Sequence, residues 1–359
     1  MAILLLACVL SVDALTALEK QEFNRIRDEK RRRGIDTTYY EWAPGGQGPE
    51  GYLQQKSAKV DRTVEKFSNV QRWNMYTALG NSTDPADDIY YSSQLGQDEM
   101  VALLSGYKSQ GFFVDLASND WKHLSNTLAL EKYFNWTGIC IEPLPAYALD
   151  ILEQRRCTLV TNPVYSKTGE TVKFHVEHFM SGIVGSDMDN SRERGNDLVL
   201  RTVTLGMILQ SLHAPKVMDY LSLDVEGGEL HALHGVDLNV YTFLLMNVER
   251  PTAHVHHVLV KHGYWFLAQL PLKTPLPHSG RVLNIVPFGE VLYVHRTHPR
   301  FREHMDKYRT ATYTWRAAQI GSKDLIKLPA AEPVFDGKTH IQTVQQPWLD
   351  VPAWPPARN

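Results

Sequence analysis

The chain has 359 residues, of which 43% are apolar and 21% charged, and its 37 basic side chains nearly balance its 40 acidic ones. This composition excludes a disordered or collagen-like chain, and the formal net charge of −3 provides no global attraction to nucleic acid or acidic lipid. The three cysteines are too few for a disulfide-framed scaffold and lack the spacing of a structural zinc site. We therefore expect a packed core in one large domain or two smaller ones.

The N-terminal segment, residues 1–18, is a possible signal peptide or an apolar helix packed on the domain. Its apolar run is shorter than the ~20 residues of a membrane-spanning helix and includes Asp13. Small residues near its end suit signal cleavage, whereas no basic stretch precedes it. Two N-x-[ST] sequons, at Asn81 and Asn135, agree with secretory routing. We expect a secretory location, in the Golgi lumen or outside the cell, with a cytoplasmic location as the alternative.

Residues 19–85 form a basic arm that continues into a linker. Between residues 19 and 33 there are seven basic and four acidic side chains, a pattern typical of a solvated helix face. Glycine and proline dominate residues 41–51, and this composition predicts a linker between the arm and the following domain.

The middle of the chain alternates short β-rich apolar runs with helical segments, which is typical of a parallel sheet covered by helices on both faces. We predict a doubly wound sheet. The predicted strands lie at residues 111–117, 138–141, 157–161, 220–224, 242–248, 264–270 and 291–295. The predicted helices lie at residues 125–134, 145–154, 205–212 and 255–262, and a polar hairpin-like region lies at residues 171–179.

The C-terminal extension, residues 301–359, is rich in proline. Six of the 19 prolines fall between Pro329 and Pro356, which excludes a regular helix or a central strand there. We predict an extended strap, anchored by two tryptophans, outside a single domain that spans residues 86–300.

Acidic residues lie at or just past the carboxyl ends of four predicted strands. Ligands of doubly wound sheets bind at this edge, and buried parallel strands rarely end in a charge without a ligand or partner. We therefore predict a ligand site there. The acidic residues are Asp115, Glu142, Asp224 with Glu226, and Glu249.

The spacing of two of these acids predicts a nucleoside ligand. Glu142 follows Asp115 by 27 residues, near the distance that places an acid beside a nucleotide ribose. No G-x-G-x-x-G follows the first predicted strand and the chain has no P-loop motif, so a pyrophosphate has no evident cradle. NAD and FAD are thereby disfavoured. A nucleoside without phosphates remains, of which S-adenosylmethionine is the common one.

Five motifs carry a family resemblance. Together they resemble the FkbM-type S-adenosylmethionine-dependent methyltransferases over roughly residues 90–296. The resemblance implies an α/β fold of class I methyltransferase type, with a Rossmann-like seven-stranded sheet that is mostly parallel with an antiparallel last strand. It also implies O-methyl transfer. The motifs are S-Q-L-G-Q-D at 93–98, V-D-L-A-S-N-D at 114–120, S-N-T-L-A-L-E at 125–131, C-I-E-P-L-P at 140–145 and L-D-V-E-G-G-E-L at 223–230.

The resemblance also implies which residues contact the cofactor S-adenosylmethionine. Asp115 and Asn119 would face its methionine part, and Glu142 would hold the ribose. Asn162 matches the region beside the adenine.

Three further residues and two departures follow from the same resemblance. Gln97 and Asp98 would help to close the cofactor pocket, and Asp224 would approach the methionine end or the reacting centre. The family pattern D-L-G-A-N-D-G is replaced here by a sequence with Ala117 and Trp121. The large Trp121 side chain either points away from the cofactor or narrows the site.

Methyl transfer to a hydroxyl requires alignment of the acceptor and a base that removes its proton. Glu226, Glu249 and His254 are the candidate bases, and we place Glu226 first. Together with Asp224, the two glutamates form the predicted catalytic group. An equally weighted alternative gives Glu226 a structural role, in which it accepts backbone N–H bonds in the turn before Gly227.

We predict structural roles for the clustered histidines and for two of the cysteines. The histidines between residues 254 and 262 lack an H-E-x-x-H pattern, and we predict no metal site. Cys140 and Cys157 lie on or beside neighbouring predicted strands, so a disulfide is possible in a secreted chain. Buried thiols without a redox role are the preferred interpretation.

The sequence predicts an S-adenosylmethionine-dependent O-methyltransferase that acts on a hydroxyl of a sugar or other small polyol. The alternative is a non-catalytic interaction or trafficking module with a methyltransferase fold, motivated by Trp121 and the long flanking segments. The expected partner is a small-molecule hydroxyl acceptor, with no nucleic acid and no firm membrane association. The sequence does not predict an oligomeric state.

Overall fold

The computed structural model describes residues 89–191, 193, 197–270 and 290–308, together with six short strands in the flanking segments. The predicted signal segment, the basic run, Asn81 and the tail tryptophans lie outside the described residues. Over the part that is described, no helix is long and apolar enough to cross a membrane.

Seven α-helices and sixteen strands are present in the described residues. The helices are α1 (Gln97–Leu104), α2 (Leu128–Phe134), α3 (Pro145–Gln154), α4 (Leu205–Ser211), α5 (Glu229–His234), α6 (Ala253–Lys261) and α7 (Phe301–Tyr308). The first eight strands are β1 (Thr38–Ala43), β2 (Tyr52–Ser57), β3 (Phe112–Leu116), β4 (Thr137–Ile141), β5 (Thr158–Val160), β6 (Thr171–His175), β7 (Gly182–Ile183) and β8 (Leu198–Arg201). The others are β9 (Val217–Leu223), β10 (Thr242–Val248), β11 (Tyr264–Gln269), β12 (Val291–His295), β13 (Thr312–Arg316), β14 (Leu325–Pro329), β15 (Val334–Phe335) and β16 (Ile341–Gln342).

The main sheet has the strand order β11-β12-β10-β9-β3-β4-β5-β1-β2. From β11 to β5, only β12 runs antiparallel to its neighbours, which confirms the predicted seven-stranded, mostly parallel sheet with an antiparallel last strand. β1 pairs with β5 in parallel and β2 pairs with β1 antiparallel. These two strands come from the segment predicted as arm and linker, and they lengthen the sheet at one edge.

Two apolar layers enclose the sheet because successive side chains of each strand point to opposite faces. Val114 and Leu116 of β3 belong to one cluster, which also contains residues of α4, α5 and α6. Phe113 belongs to the other cluster, with residues of α1, α2, α3 and α7. Burying each large apolar side chain stabilises the fold by about 1.5–3 kcal/mol, so the two layers fix the sheet from both sides. The carboxyl ends of the parallel strands then meet at one edge.

Local signals in the sequence set the starts of three helices. Pro145 stands at the first position of α3, where its missing N–H costs nothing, and α3 has the predicted bounds. The Thr204 hydroxyl accepts from the Met207 N–H at the start of α4, and the Thr252 hydroxyl accepts from the Val255 N–H at the start of α6.

A small antiparallel sheet is inserted between β5 and α4, with the strand order β7-β6-β8. The sequence predicts a hairpin-like region for its first part only. We call residues 171–201 the insertion. The Asn162 Nδ2 atom, just after β5, donates to the Arg201 carbonyl at 2.9 Å. The Asp189 backbone N–H donates to the Glu226 carbonyl at 3.0 Å, so the insertion lies against the carboxyl edge of the main sheet.

Cys140 and Cys157 form a disulfide, and the preferred prediction of unpaired thiols is wrong. Cys140 lies opposite Leu159 in the parallel pair of β4 and β5, and Cys157 precedes Leu159 by two residues. Both side chains therefore point to the same face of the sheet. Their Cα atoms are 5.8 Å apart, within the range that a disulfide spans.

Candidate functional site

The chain turns sharply after β3. Ala117 and Asn119 have φ angles of 58° and 54°, in the left-handed region that favours glycine. The Ser118 hydroxyl donates to the Asp115 carbonyl at 2.8 Å, and the Ser118 N–H donates to the Ile141 carbonyl at 3.1 Å. The loop is thereby fixed between the ends of β3 and β4, and Ala117 adopts the left-handed conformation that glycine favours.

Trp121, the second departure from the family pattern, packs against the apolar cluster of α1, α2 and α3. Asp120 shapes the loop before it, because its Oδ1 atom accepts from the N–H groups of Lys122 and His123. This packing favours the alternative in which the indole points away from the cofactor.

Glu142 lies at the end of β4 with its carboxylate turned towards the β3 loop. Its Oε2 atom accepts from the Asn119 N–H and its Oε1 atom from the Leu144 N–H, both at 2.8 Å. Burial raises the pKa of Glu142 to about 7, although the two backbone hydrogen bonds oppose this shift. A carboxylate offers about four lone-pair positions, so capacity remains for two further donors.

Three buried polar side chains form a row across the centre of the sheet. Asp115 on β3 lies opposite Ser222 on β9, which lies opposite Asn247 on β10. In-register residues of neighbouring parallel strands share a face, so all three point to the same side of the sheet. Each is no more than 2% exposed. Of these three residues, the sequence predicted only Asp115. The single amide among the apolar residues of β10, Asn247, was a signal that could have extended the prediction.

A buried arginine supports Asp115. The Thr127 hydroxyl donates to Asp115 Oδ2 at 2.5 Å, and Arg155 Nη2 donates to the Thr127 hydroxyl at 2.9 Å. Arg155 also pairs with Glu131 at 3.3 Å. Burial raises the pKa of Asp115, while the Thr127 hydrogen bond and the Arg155 charge act against that shift. Sequence reasoning missed Arg155 because it follows α3, far along the chain from β3.

Gln97 reaches the site through Glu290, which the sequence did not single out. Gln97 Nε2 donates to Glu290 Oε1 at 2.6 Å, and Asn247 Nδ2 donates to Glu290 Oε2 at 2.9 Å. Burial raises the pKa of Glu290 to about 7. The segment before β3 is thus joined to β10 and β12 next to the polar row.

Asp98 folds the same segment. Its Oδ2 atom accepts from the N–H groups of Ser92 and Ser93, and its Oδ1 atom accepts from the Ser93 hydroxyl and the Glu99 N–H. These four bonds use the lone-pair positions of the carboxylate. Its contribution to the pocket is therefore to hold this loop, and Asn162, bonded to Arg201, likewise holds the insertion.

The three predicted catalytic residues lie together with two that the sequence did not predict. Arg250 Nη2 is 2.7 Å from Glu249 Oε2, 2.8 Å from Asp189 Oδ2 and 2.9 Å from Glu226 Oε2. Asp224 is hydrogen-bonded to Glu249. Asp189 comes from the insertion, so a distant segment completes this acidic group around one guanidinium.

Like charges and burial shift the pKa values of this group. Burial, followed by the charge of Glu249, raises the pKa of Glu226 to about 8, although Arg250 lowers it. Burial, followed by the charge of the same neighbour, raises the pKa of Asp224 well above its ordinary value. The oxygens of Asp189, Glu226 and Glu249 lie within 4.8 Å of one another, a spacing that suits a cation, and the Arg250 guanidinium lies among them.

The structural role considered for Glu226 belongs to Glu229. Glu229 Oε1 accepts from the Val225 N–H at 3.1 Å and from the Gly227 N–H at 3.3 Å. Glu226 itself has a φ angle of 53° and directs its carboxylate to Arg250. His254, the third candidate base, lies in the first turn of α6 and is partly buried.

The comparisons with known proteins agree with this arrangement. The model of the FkbM methyltransferase domain matches residues 115–299. No curated protein and no solved structure matches the chain. The matched segment begins within β3 and extends beyond β12, and the order and directions of these strands are those of a Rossmann-like methyltransferase sheet. It also contains the acidic residues at the carboxyl ends of the strands. The chain therefore belongs to the FkbM methyltransferase domain family.

Proposed function

We propose that this protein is an S-adenosylmethionine-dependent O-methyltransferase that acts on a hydroxyl of a sugar or other small polyol. The observation that carries the proposal is Glu142, a buried carboxylate at the end of β4 held by the N–H groups of Asn119 and Leu144. An acid fixed there, in a chain that lacks a phosphate-binding loop after β3, suits the ribose of a nucleoside.

The residues present also fit an amino acid attached to that nucleoside. Asp115 provides a buried carboxyl group beside the β3 loop. Two nearby asparagine oxygens, in Asn126 and Asn247, have no hydrogen-bond donor in the part of the chain that the structure describes. This donor-poor, acceptor-rich environment suits a cationic group such as the ammonium of methionine. When bound, S-adenosylmethionine supplies a methyl group on a sulfonium, which an oxygen nucleophile attacks.

The acidic group around Arg250 supplies the proton acceptor. Glu226 has a pKa of about 8, so its carboxylate is a stronger base than an ordinary glutamate. Arg250 fixes its position, and the Asp224 carboxyl group is hydrogen-bonded to Glu249. In this assignment Glu226 accepts the proton of the acceptor hydroxyl, while Glu249 and Asp189 orient Arg250.

We also propose a location in the secretory pathway. Disulfides persist in oxidising compartments, and Cys140 and Cys157 are joined. Asn135, which begins a sequon, is exposed at the end of α2, as is Thr137. Both features support an extracytoplasmic environment over the cytoplasmic alternative.

Calorimetric titration of S-adenosylhomocysteine into the full chain tests the cofactor. We expect micromolar binding that Glu142→Ala loses and that the matched control Glu303→Ala, on the exposed face of α7, retains. Absence of binding to the folded wild-type protein would reject the methyltransferase proposal in favour of an interaction module. Unchanged affinity in Glu142→Ala would reject the ribose assignment alone.

A further inference from the structure

Two buried amide oxygens beside the polar row have no hydrogen-bond donor among the described residues. They are Asn126 Oδ1 and Asn247 Oδ1. The nitrogen of each amide is already engaged, because Asn126 Nδ2 donates to the Ser222 hydroxyl at 2.9 Å and Asn247 Nδ2 donates to Glu290 at 2.9 Å. Buried acceptors without a donor are rare in native proteins, and each one requires an explanation.

Exchanging the oxygen and nitrogen positions of either amide by a half-turn rotation does not provide these oxygens with a hydrogen-bond donor. A flipped Asn247 would turn its oxygen towards Glu290, which has no donor whenever its carboxyl group is ionised. A flipped Asn126 would need the hydroxyl proton of Ser222, which is hydrogen-bonded to Asp115. Each of the two oxygens must therefore be completed by a hydrogen-bond donor that the two amides do not contain.

The surroundings define the chemistry of that donor. Ser222 lies between the two amides, since it binds Asn126 and pairs in register with Asn247 on a strand ~4.8 Å away. The neighbouring carboxyl groups belong to Asp115 and Glu290, so an anionic ligand group would be repelled. An ammonium has three donors and a positive charge, and it suits two amide oxygens with a carboxylate nearby.

We propose that Asn126 and Asn247 accept hydrogen bonds from the ammonium group of the methionine part of S-adenosylmethionine, with Asp115 supplying the opposing charge. This inference rests on the proposed function. It changes the assignment of Asn119, whose side-chain oxygen accepts from the Asp120 N–H within its own loop. Asn119 then serves the ribose side through its backbone, and the methionine side belongs to the two amides.

Calorimetry with three ligands tests the proposal on the full chain without an acceptor substrate. The ligands are S-adenosylhomocysteine, its deaminated analogue, and 5′-methylthioadenosine, which has the nucleoside and the thioether but no amino acid. We expect the wild-type protein to bind S-adenosylhomocysteine about tenfold or more tightly than the deaminated analogue, because hydrogen bonds from a charged donor are the stronger class.

The variants Asn247→Leu and Asn126→Leu remove one acceptor each with little change in volume. Each should weaken S-adenosylhomocysteine about tenfold and leave 5′-methylthioadenosine unchanged, whereas Glu142→Ala should weaken both ligands. Asn239→Leu, at an exposed asparagine bonded to Asp237, is the matched control and should change neither affinity.

The outcomes separate this inference from the proposed function. Failure of the wild-type protein to bind S-adenosylhomocysteine would reject the assignment of S-adenosylmethionine as the cofactor. If it binds, equal affinity for the deaminated analogue would overturn the ammonium assignment, and this comparison needs no variant to fold. Equal losses for both ligands in the leucine variants would assign the two amides to folding of the site rather than to the ammonium.

Discussion

Glu142 shows how one buried carboxylate can serve the fold and a ligand at the same time. Its two backbone hydrogen bonds join the β3 loop to the start of α3, while burial raises its pKa to about 7. The side chain therefore changes charge near neutral pH. A charged carboxylate accepts hydrogen bonds more strongly than a neutral carboxyl group, so ligand binding should depend on pH in this range.

We expect the affinity for S-adenosylhomocysteine to fall as the pH decreases from 8 to 6. Protonation of Glu142 through its pKa of about 7 removes the charged acceptor, at a cost of about tenfold in affinity. Glu142→Gln should bind more weakly at pH 8 and lose most of this slope. Calorimetry at pH 6, 7 and 8 measures both, and any slope left in the variant belongs to other carboxyl groups such as Glu290. Parallel pH profiles for the two proteins would contradict the prediction.

A substitution at Glu226 should lower the rate of methyl transfer without changing the affinity for the cofactor product. Glu226→Gln keeps the shape of the side chain but cannot accept a proton, so we expect a loss of methyl transfer of about 100-fold or more. Its affinity for S-adenosylhomocysteine should stay within about twofold, since Glu226 lies on the acceptor side. Transfer of labelled methyl groups to a panel of neutral sugars measures the first quantity. In wild-type protein the rate should rise with pH through about 8, because the base acts when ionised.

At the scale of elements, an ion pair and a hydrogen bond to a histidine hold the insertion over the carboxyl edge. Asp189 pairs with Arg250 at 2.8 Å, and Asp187 pairs with His231 at 2.8 Å. A Cβ atom on Gly227 would lie 2.7 Å from the Asp189 nitrogen, so the β9–α5 turn and the insertion touch closely. We therefore propose that the insertion forms one wall of the site for the acceptor substrate.

Arg250→Ala should loosen the insertion. Removing the guanidinium leaves three carboxylates together, and we expect the free energy of unfolding to fall by about 1–3 kcal/mol, below the value for a fully buried pair because Arg250 is 26% exposed. Amide exchange across residues 182–190 should accelerate. Arg300→Ala breaks an exposed pair with Glu303 and should cost less than about 1 kcal/mol, without faster exchange in the insertion. Equal exchange in both variants would show that Arg250 does not hold the insertion.

The sequence predicted the parallel sheet well because its strands are short apolar runs separated by clear turn signals. The bounds of α3 and β10 agree with prediction, and the four acid-bearing strand ends lie at one edge. Two kinds of feature were missed. α5 has too few residues for a helical period to show. The pairing of Asp189 with Arg250 joins positions far apart in the chain, and no local pattern records such a contact.

At the scale of the whole molecule, the disulfide links the two sides of the cofactor site. Glu142 follows Cys140 by two residues, and Arg155, which supports Asp115 through Thr127, precedes Cys157 by two residues. The bond therefore connects the strand that ends at Glu142, the proposed ribose ligand, to the segment that carries Arg155. The same bond supports the proposed secretory location, because disulfides persist in oxidising compartments.

Reduction should therefore lower both stability and cofactor affinity. The bond joins residues 17 apart, and a loop of this length is worth about 3 kcal/mol, or about 5–10 °C in the unfolding midpoint. Thermal unfolding and calorimetry with S-adenosylhomocysteine, each with and without a thiol reductant, measure the two effects. Cys157→Ser should resemble the reduced protein and not respond to reductant.

The proposed secretory location can be tested with protein that is isolated from its native source without reductant. Peptide mapping should recover a peptide pair in which Cys140 is linked to Cys157. The peptide that contains Asn135 should carry a glycan that a glycosidase removes. Free thiols at both cysteines together with an unmodified Asn135 would place the protein in a reducing compartment. In that case the close approach of the two cysteines would reflect packing of β4 against β5, and stability in reductant would match that of Cys157→Ser.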